Sequence, residues 1–316
     1  MSVQHWQPTT SLQILKRRAE LLAQIRRFFA EQGVLEVETP LLGQATGTDV
    51  NLKTFQVVNN STPRFLQTSP EFAMKRLLAQ GSGAIFQICK AFRAGESGDR
   101  HNFEFTMLEW YRPGLDHFQL MDEVELLVST VLDVQSIQRI SYRELFQQAL
   151  NLDPHTATVA QLQSLAQQVV NIDMPENDKD MWLDLLYSHV IEPGLQAPVF
   201  IYDYPASQAA LARVVKDASG LGLAQRFELV MNGMELANGY FELTDPQEQL
   251  QRFTKDQELR AQRGLVQNPV DSNLLAALRH GLPSCAGVAL GLDRLLMLVT
   301  GSSSIKEVIS FPDDRA

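Results

Sequence analysis

The chain has 316 residues and a formal net charge of −10, long enough to bury a large core and acidic enough to weigh against a protein that grips extended nucleic acid through a basic face. Hydrophobic residues make up 45% and charged residues 20%, the balance of a folded soluble protein rather than a disordered one. Cys89 and Cys285 are the only cysteines, so neither a disulfide framework nor a zinc spacing is available, and both read as buried thiols in a reducing cytosol. The first residues, MSVQHWQPTT, lack a charged start followed by an apolar core, and no run of about 18 apolar residues occurs. No export signal, membrane span or internal repeat is expected, which points to the cytoplasm.

In chain order, Ser11 is placed to cap a helix whose apolar positions Leu15, Ala19, Leu22, Ile25 and Phe29 recur at helical spacing, with Gly33 ending it. A short strand then runs to Thr39-Pro40. Ser69-Pro70-Glu71 opens a second helix through Met74, Leu77 and Leu78 to Gly81. Glu71 either complements the helix dipole or contacts a ligand. Two strand-like runs, IFQICKAFR and FEFTMLEWY, flank a polar loop from Ala94 to Asn102. Alternation puts Gln87, Cys89, Ala91 and Arg93 on one face of the first, and Phe105, Met107, Glu109 and Tyr111 on one face of the second. An arginine, an aromatic ring and a carboxylate therefore share a surface. The loop is longer than most hairpin loops and rich in charge, which favours a ligand-holding loop over an ordinary surface hairpin.

Gln119 to Leu132 reads as an amphipathic helix, and about 141–200 as a helix-rich insertion broken at Asp153-Pro154 and Pro193-Gly194. That insertion carries no compact chemical motif and is either scaffold or a partner-facing element. Phe227–Met231 and Met234–Leu243 are strands joined by Asn232-Gly233, a two-residue hairpin signal. Opposing Val230 with Glu235 and Glu228 with Ala237 makes Glu228 and Glu235 diagonal neighbours, roughly 7–8 Å apart, within reach of a common divalent cation. The alternative is a solvated sheet face. A bulge at Asn238-Gly239 is expected to return Asn238, Tyr240 and Glu242 to that face. Gly287-Val288-Ala289-Leu290-Gly291-Leu292-Asp293-Arg294 reads as a glycine-bearing strand entering a helix.

The helix and strand ending at Pro40, the Arg93 hairpin and the strand and helix bearing Arg294 resemble, in order and spacing, the three signature motifs of class II aminoacyl-tRNA synthetases. Through SPEFAMKRLL, RHNFEFTMLEWY, GMELANGYFEL and GVALGLDR the chain is similar to the lysyl branch over nearly its whole length. Within that branch it resembles the paralogues that modify elongation factor P, since no N-terminal anticodon-binding domain is expected ahead of the catalytic one. The resemblance implies an α+β fold, an antiparallel sheet flanked by helices in a single catalytic domain over 1–316, and a homodimer formed through the first motif. It implies ATP and Mg2+ as cofactors, lysine or β-lysine as the small substrate and elongation factor P as the acceptor, with tRNA unlikely and no membrane partner.

Residue by residue, Arg93 then corresponds to the arginine on the α-phosphate and substrate carboxylate, and Arg294 to the one on the distal phosphates. Phe105 stacks on adenine, with Glu96, His101 and Asn102 in the nucleotide loop. Glu228 and Glu235 bind magnesium. Glu109, Tyr111 and Glu242 surround the distal ammonium of lysine, Asn238 contacts its carboxylate, and Glu71 its other amine. The chain departs from the pattern at Arg93-Ala94-Gly95-Glu96, where the family glutamate falls one position later, and at His101-Asn102-Phe103-Glu104-Phe105 in place of His-Asn-Pro-Glu-Phe. Tyr240 replaces phenylalanine, and Ala289 stands where lysyl-tRNA synthetases have glycine. A methyl on a packed pocket wall costs a poorly fitting ligand about 1–3 kcal/mol, which favours (R)-β-lysine.

The implied chemistry is two-step ligation, carboxylate activation as an acyl-adenylate followed by transfer to an amine, with no protein nucleophile. A truncated synthetase that charges tRNA or a small carrier, and a non-catalytic lysine sensor, are the rival readings. No class I synthetase signature, P-loop or nucleophile elbow is present to support another catalytic class.

Overall fold

The computed structural model describes residues 6–59, 62–172, 174 and 176–316. Helix α1 (Leu12–Glu31) starts where the Ser11 hydroxyl accepts from Ile14 N and ends at Gly33, whose φ of +67° lets the chain turn back. Its buried stripe is Leu21, Ile25, Phe28 and Phe29, whereas Leu15 and Ala19 are exposed. The expected stripe therefore holds only in the second half of the helix, where Phe29 stacks on Phe86 and meets Trp110 edge-on. Strands β1 (Leu35–Glu36), β2 (Leu42–Gly43), β3 (Gln56–Asn59) and β4 (Thr62–Leu66) follow, then α2 (Glu71–Ala79). The Ser69 hydroxyl accepts from Glu71 N at its start, and Gly81 with φ +91° closes it.

The long hairpin strands are β5 (Ile85–Phe92) and β6 (Glu104–Pro113), followed by α3 (His117–Val131), β7 (Gln138–Ser141), α4 (Tyr142–Leu150), α5 (Val159–Val170) and α6 (Lys179–Leu186). Ser141 with Glu144 and Thr158 with Gln161 form capping boxes that start α4 and α5. Then come β8 (Val199–Pro205), β9 (Val214–Lys216), β10 (Gly222–Met231), β11 (Met234–Phe241), α7 (Pro246–Gln262), α8 (Ser272–Gly281), β12 (Cys285–Gly291) and α9 (Leu292–Thr300).

The chain divides into two compact units. The first comprises Met1–Leu115, Leu126–Asp133 and Thr244–Ala316, the second Asp116–Glu125 and Val134–Leu243. In the first, strands run in the order β1-β5-β6-β12, antiparallel except for the β1–β5 pair, with a small β2-β4-β3 sheet beside them. The α1 and α9 helices pack together, as do α2 and α8. In the second, the order is β11-β10-β8-β7 with β9 also on β10, again antiparallel except at the edge pair β7–β8. Helices α4 to α6 close over that sheet through a core containing Tyr142, Phe146, Leu162, Trp182, Leu183 and Leu186. The α+β reading therefore stands, with two parallel edge pairs added to an otherwise antiparallel pattern. Among the described residues no helix is long and apolar enough to cross a membrane.

Candidate active site

In the first unit the β5–β6 register pairs Gln87 with Glu109, Cys89 with Met107 and Ala91 with Phe105. The face expected from alternation is therefore formed. On the other side of β6, Ala289 of β12 pairs with Glu109. The row Gln87, Glu109, Ala289 crosses the middle of this sheet, and Glu109 is only 2% exposed. Each of its carboxylate oxygens accepts one hydroxyl, Tyr111 Oη at 2.6 Å and Ser69 Oγ at 2.7 Å. Burial foremost, then the charge of Glu71, pushes its pKa from 4.5 up to about 7, against the two hydroxyls and Lys75. Glu71 lies at the start of α2, and the buried Lys75 ammonium sits 2.6 Å from its Oε1. The glutamate therefore has a partner beyond the helix dipole. Beside this cluster, burial and Glu109 push the Cys89 thiol up to about 12, which makes it inert.

Beyond the end of β5, the Arg93 guanidinium lies 5.1 Å over the Phe105 ring and 3.9 Å from Glu96 Oε1. The displaced glutamate thus still reaches its arginine. Arg294, in the first turn of α9, donates from Nη2 to His101 Nε2 at 2.6 Å and from Nε to Arg100 O at 3.3 Å. That contact joins the third-motif arginine to the long loop. Asn102 is buried, donating to Glu104 O at 2.8 Å and accepting from Asp313 N at 3.1 Å. Its side chain braces the loop.

In the second unit Asn232 and Gly233 adopt φ of +52° and +61°, the left-handed pair of a tight hairpin turn. Val230 pairs with Glu235 as expected, but Leu229 pairs with Ala237 and Glu228 with Asn238. The bulge is therefore at Leu236, not at Asn238-Gly239. Gly239 is required for another reason: a Cβ there would lie 2.4 Å from the Phe227 ring. A glycine in a strand signals either a bulge or a close approach, and here it is the approach. The shifted bulge still gathers Glu228, Glu235, Asn238, Tyr240 and Glu242 on one face. Asn238 Nδ2 lies 3.3 Å from Glu228 Oε1 and 3.3 Å from Glu235 Oε1, so the two carboxylates converge on one point.

Burial pushes Glu228 up to about 7, with Glu235 adding to the shift and Arg226 opposing it. Arg226 bonds Glu228 directly, donates to Gln208 O at 2.9 Å and lies 4.3 Å over the Tyr204 ring and 5.7 Å over that of Tyr240. Glu242 is 1% exposed, with its backbone oxygen accepting from Arg213 Nε at 2.8 Å. Among the described residues no group of three or more His, Cys, Asp or Glu is placed to hold a metal ion; Glu228 and Glu235 meet as a pair.

The model of the family described as tRNA synthetases class II (D, K and N) matches residues 3–315. The chain belongs to that family. Its similarity to named members is close. It is 52% identical to the elongation factor P (R)-β-lysine ligase of Pseudoalteromonas translucida, over 100% of both chains. Against the proteins of the same name from Yersinia enterocolitica and Salmonella dublin the identities are 49% and 50%, over 98% of this chain and of each relative.

Within the family frame, the first unit brings together Glu71, Glu109, Tyr111 and Ala289, and separately Arg93 with Glu96 and Phe105, and Arg294 with His101. The second brings together Glu228, Glu235, Asn238, Tyr240 and Glu242. Sequence reasoning missed Ser69, Lys75 and Arg226, which hold the carboxylates in place. Ser69 was read only as a helix cap, and Lys75 fell in a helical run where lysine normally faces water. Asp293 was also missed. It is 1% exposed, pairs with Arg18 at 2.7 Å and accepts from Thr106 N at 2.6 Å, tying α1, β6 and α9 together beside Arg294.

Proposed function

We propose that the chain is an ATP-dependent ligase that activates lysine, preferably (R)-β-lysine, as an acyl-adenylate and transfers it to a lysine side chain of elongation factor P. The observation that carries this reading is the buried Glu109 carboxylate, gripped by two neutral hydroxyls with the Ala289 methyl in the adjacent strand position. A desolvated acid held by neutral donors lacks a compensating charge, so an incoming ammonium that holds it ionised is favoured, and a neutral or acidic side chain would leave it unmatched. The names of full-length relatives about half identical in sequence support the same substrate and acceptor.

In the first step a substrate carboxylate oxygen attacks the α-phosphorus of ATP, the bond to the bridging oxygen of the β-phosphate breaks, and pyrophosphate leaves. Negative charge on the phosphates is met by Arg93 and Arg294, while Phe105 offers its face to adenine, with Glu96, His101 and Asn102 shaping the loop. Glu228 and Glu235 would hold magnesium, whose usual set of one or two carboxylates plus phosphate oxygens and water fits a two-carboxylate site. Bound there, the ion supplies positive charge against the phosphate oxygens. Glu71 meets the second amine of the substrate, Asn238 its carboxylate, and Tyr111, Tyr240 and Glu242 complete its recognition.

In the second step the acceptor amine nitrogen attacks the acyl carbon and the bond to AMP breaks. A free lysine side chain has a pKa near 10.4, so the acceptor must shed a proton on entry. The packed core of α4 to α6 supports reading 141–200 as scaffold. Exposed Leu12, Leu15, Leu35, Leu41 and Leu42 support a homodimer formed through the first-motif segment. The acidic net charge supports a protein acceptor over tRNA. Pyrophosphate exchange with α- and β-lysine, followed by transfer of labelled product, tests the proposal. ATP-dependent exchange and label on elongation factor P are expected; no exchange with either amino acid, or label on tRNA instead, would overturn it.

A further inference from the structure

Lys75 is among the largest side chains in the molecule with less than 2% of the residue's surface exposed. Lysine is almost never buried to that degree unless it is paired, because its stem is long and its ammonium strongly hydrated. Here the ammonium is 2.6 Å from Glu71 Oε1, one helical turn back. The same α2 start holds Ser69, whose hydroxyl receives Glu71 N and donates to Glu109. Two carboxylates, the partly exposed Glu71 and the buried Glu109, therefore meet at one helix start, with the interior ammonium paired to Glu71. Of these three charges, one negative charge is left over.

We propose that Lys75 is a positioning residue that fixes the Glu71 carboxylate and thereby sets which carbon of the substrate must carry the second amine. This inference deepens the ligase reading and rests on it. An exposed glutamate at a helix start sweeps several rotamers, and one tethered by a buried ammonium keeps a single one. A fixed acceptor discriminates between amines on adjacent carbons, which differ by about one bond length, whereas a mobile one follows either. Lys75 does not need to touch the substrate for this, since it acts through Glu71. Its charge also offsets part of the repulsion between Glu71 and Glu109, so both acids can be kept in one dry pocket.

The test is the ratio of kcat/KM for β-lysine over α-lysine in pyrophosphate exchange, measured for wild type, K75M, E71Q and K75M/E71Q. K75M is expected to lower the ratio at least tenfold, mainly through KM for β-lysine, and K75M/E71Q is expected to match E71Q because Lys75 has lost the group it acts through. A K75M protein that loses activity equally with both amino acids, at an unchanged ratio, would overturn the inference. So would a double variant whose ratio falls well below that of E71Q. Should K75M fail to fold, E71Q and K75M/E71Q still decide, because removing both members of a buried pair is tolerated far better than removing one. Wild-type exchange with neither amino acid would overturn the ligase reading and this inference with it, whereas wild-type discrimination left intact in K75M overturns only the inference.

Discussion

Glu109 in the first unit, buried, and Glu228 in the second, largely buried, are both carboxylates pushed up to about 7 by desolvation, yet they are held by opposite means. Glu109 accepts from two uncharged hydroxyls, Ser69 and Tyr111. Glu228 bonds the Arg226 guanidinium, which is itself stacked between tyrosine rings. Neutral donors orient a carboxylate without cancelling it, so its charge stays available for a ligand. A guanidinium orients and cancels, so Glu228 depends on Glu235 beside it for the spare negative charge that a cation requires. The two regions show one problem, a desolvated acid, solved once for binding an organic ammonium and once for a site with two carboxylates.

The contrast is broken most directly by E109Q. With the charge gone but the hydroxyls still able to hydrogen-bond an amide, kcat/KM for lysine activation is expected to fall roughly 10³-fold, in line with the about 3–5 kcal/mol lost when one member of a desolvated charge pair is removed. Stability is expected to be retained at neutral pH. Because the folded pKa of about 7 exceeds the ordinary 4.5, the native state binds the proton more tightly, and unfolding free energy falls as pH rises between those values. Denaturant melts of E109Q across that window should show a shallower fall than wild type. R226M predicts the reverse pattern: Glu228 is left buried without its guanidinium, and urea unfolding should register a loss of about 3–5 kcal/mol. Equal stability costs in the two variants would erase the distinction between them.

Two smaller effects sharpen the first-unit side. Glu109 must be ionised to hold an ammonium, so KM for the amino acid is expected to rise as pH drops below about 7, approaching tenfold per unit. A pH profile flat from 7 to 6 would contradict the pocket's assignment. Ala289→Gly removes only the methyl beside Glu109, and is expected to raise kcat/KM for α-lysine relative to β-lysine about tenfold, the worth of a methyl-sized fit in a packed pocket. Exchange assays on the two amino acids check it.

The elements most legible in the sequence were those fixed by local chemistry. Alternation through IFQICKAFR and FEFTMLEWY marked Gln87 and Glu109 as facing residues of their strands, the pairing between them being fixed only by the fold, and Asn232-Gly233 marked the turn of the second hairpin. Less legible was whatever depends on a distant partner. Gly239 announced a special backbone position, but only packing shows that the Phe227 ring takes the space and that the bulge belongs to Leu236. On α1 the buried stripe is Leu21, Ile25, Phe28 and Phe29, with Phe29 against Phe86 and Trp110, and helical periodicity alone does not specify which half of the helix meets those rings. Lys75 and Arg226 carry no local signal at all, since a lysine or arginine is ordinarily a surface residue and its burial is decided by the acid it meets.

The central claim, that the chain loads lysine onto a protein amine, is tested most directly by incubating it with ATP, labelled (R)-β-lysine, elongation factor P and tRNA together, and following where the label goes. Label on a lysine of elongation factor P, dependent on ATP and absent with E109Q, is the expected result. Label on tRNA, or none on either acceptor with wild type, would contradict it.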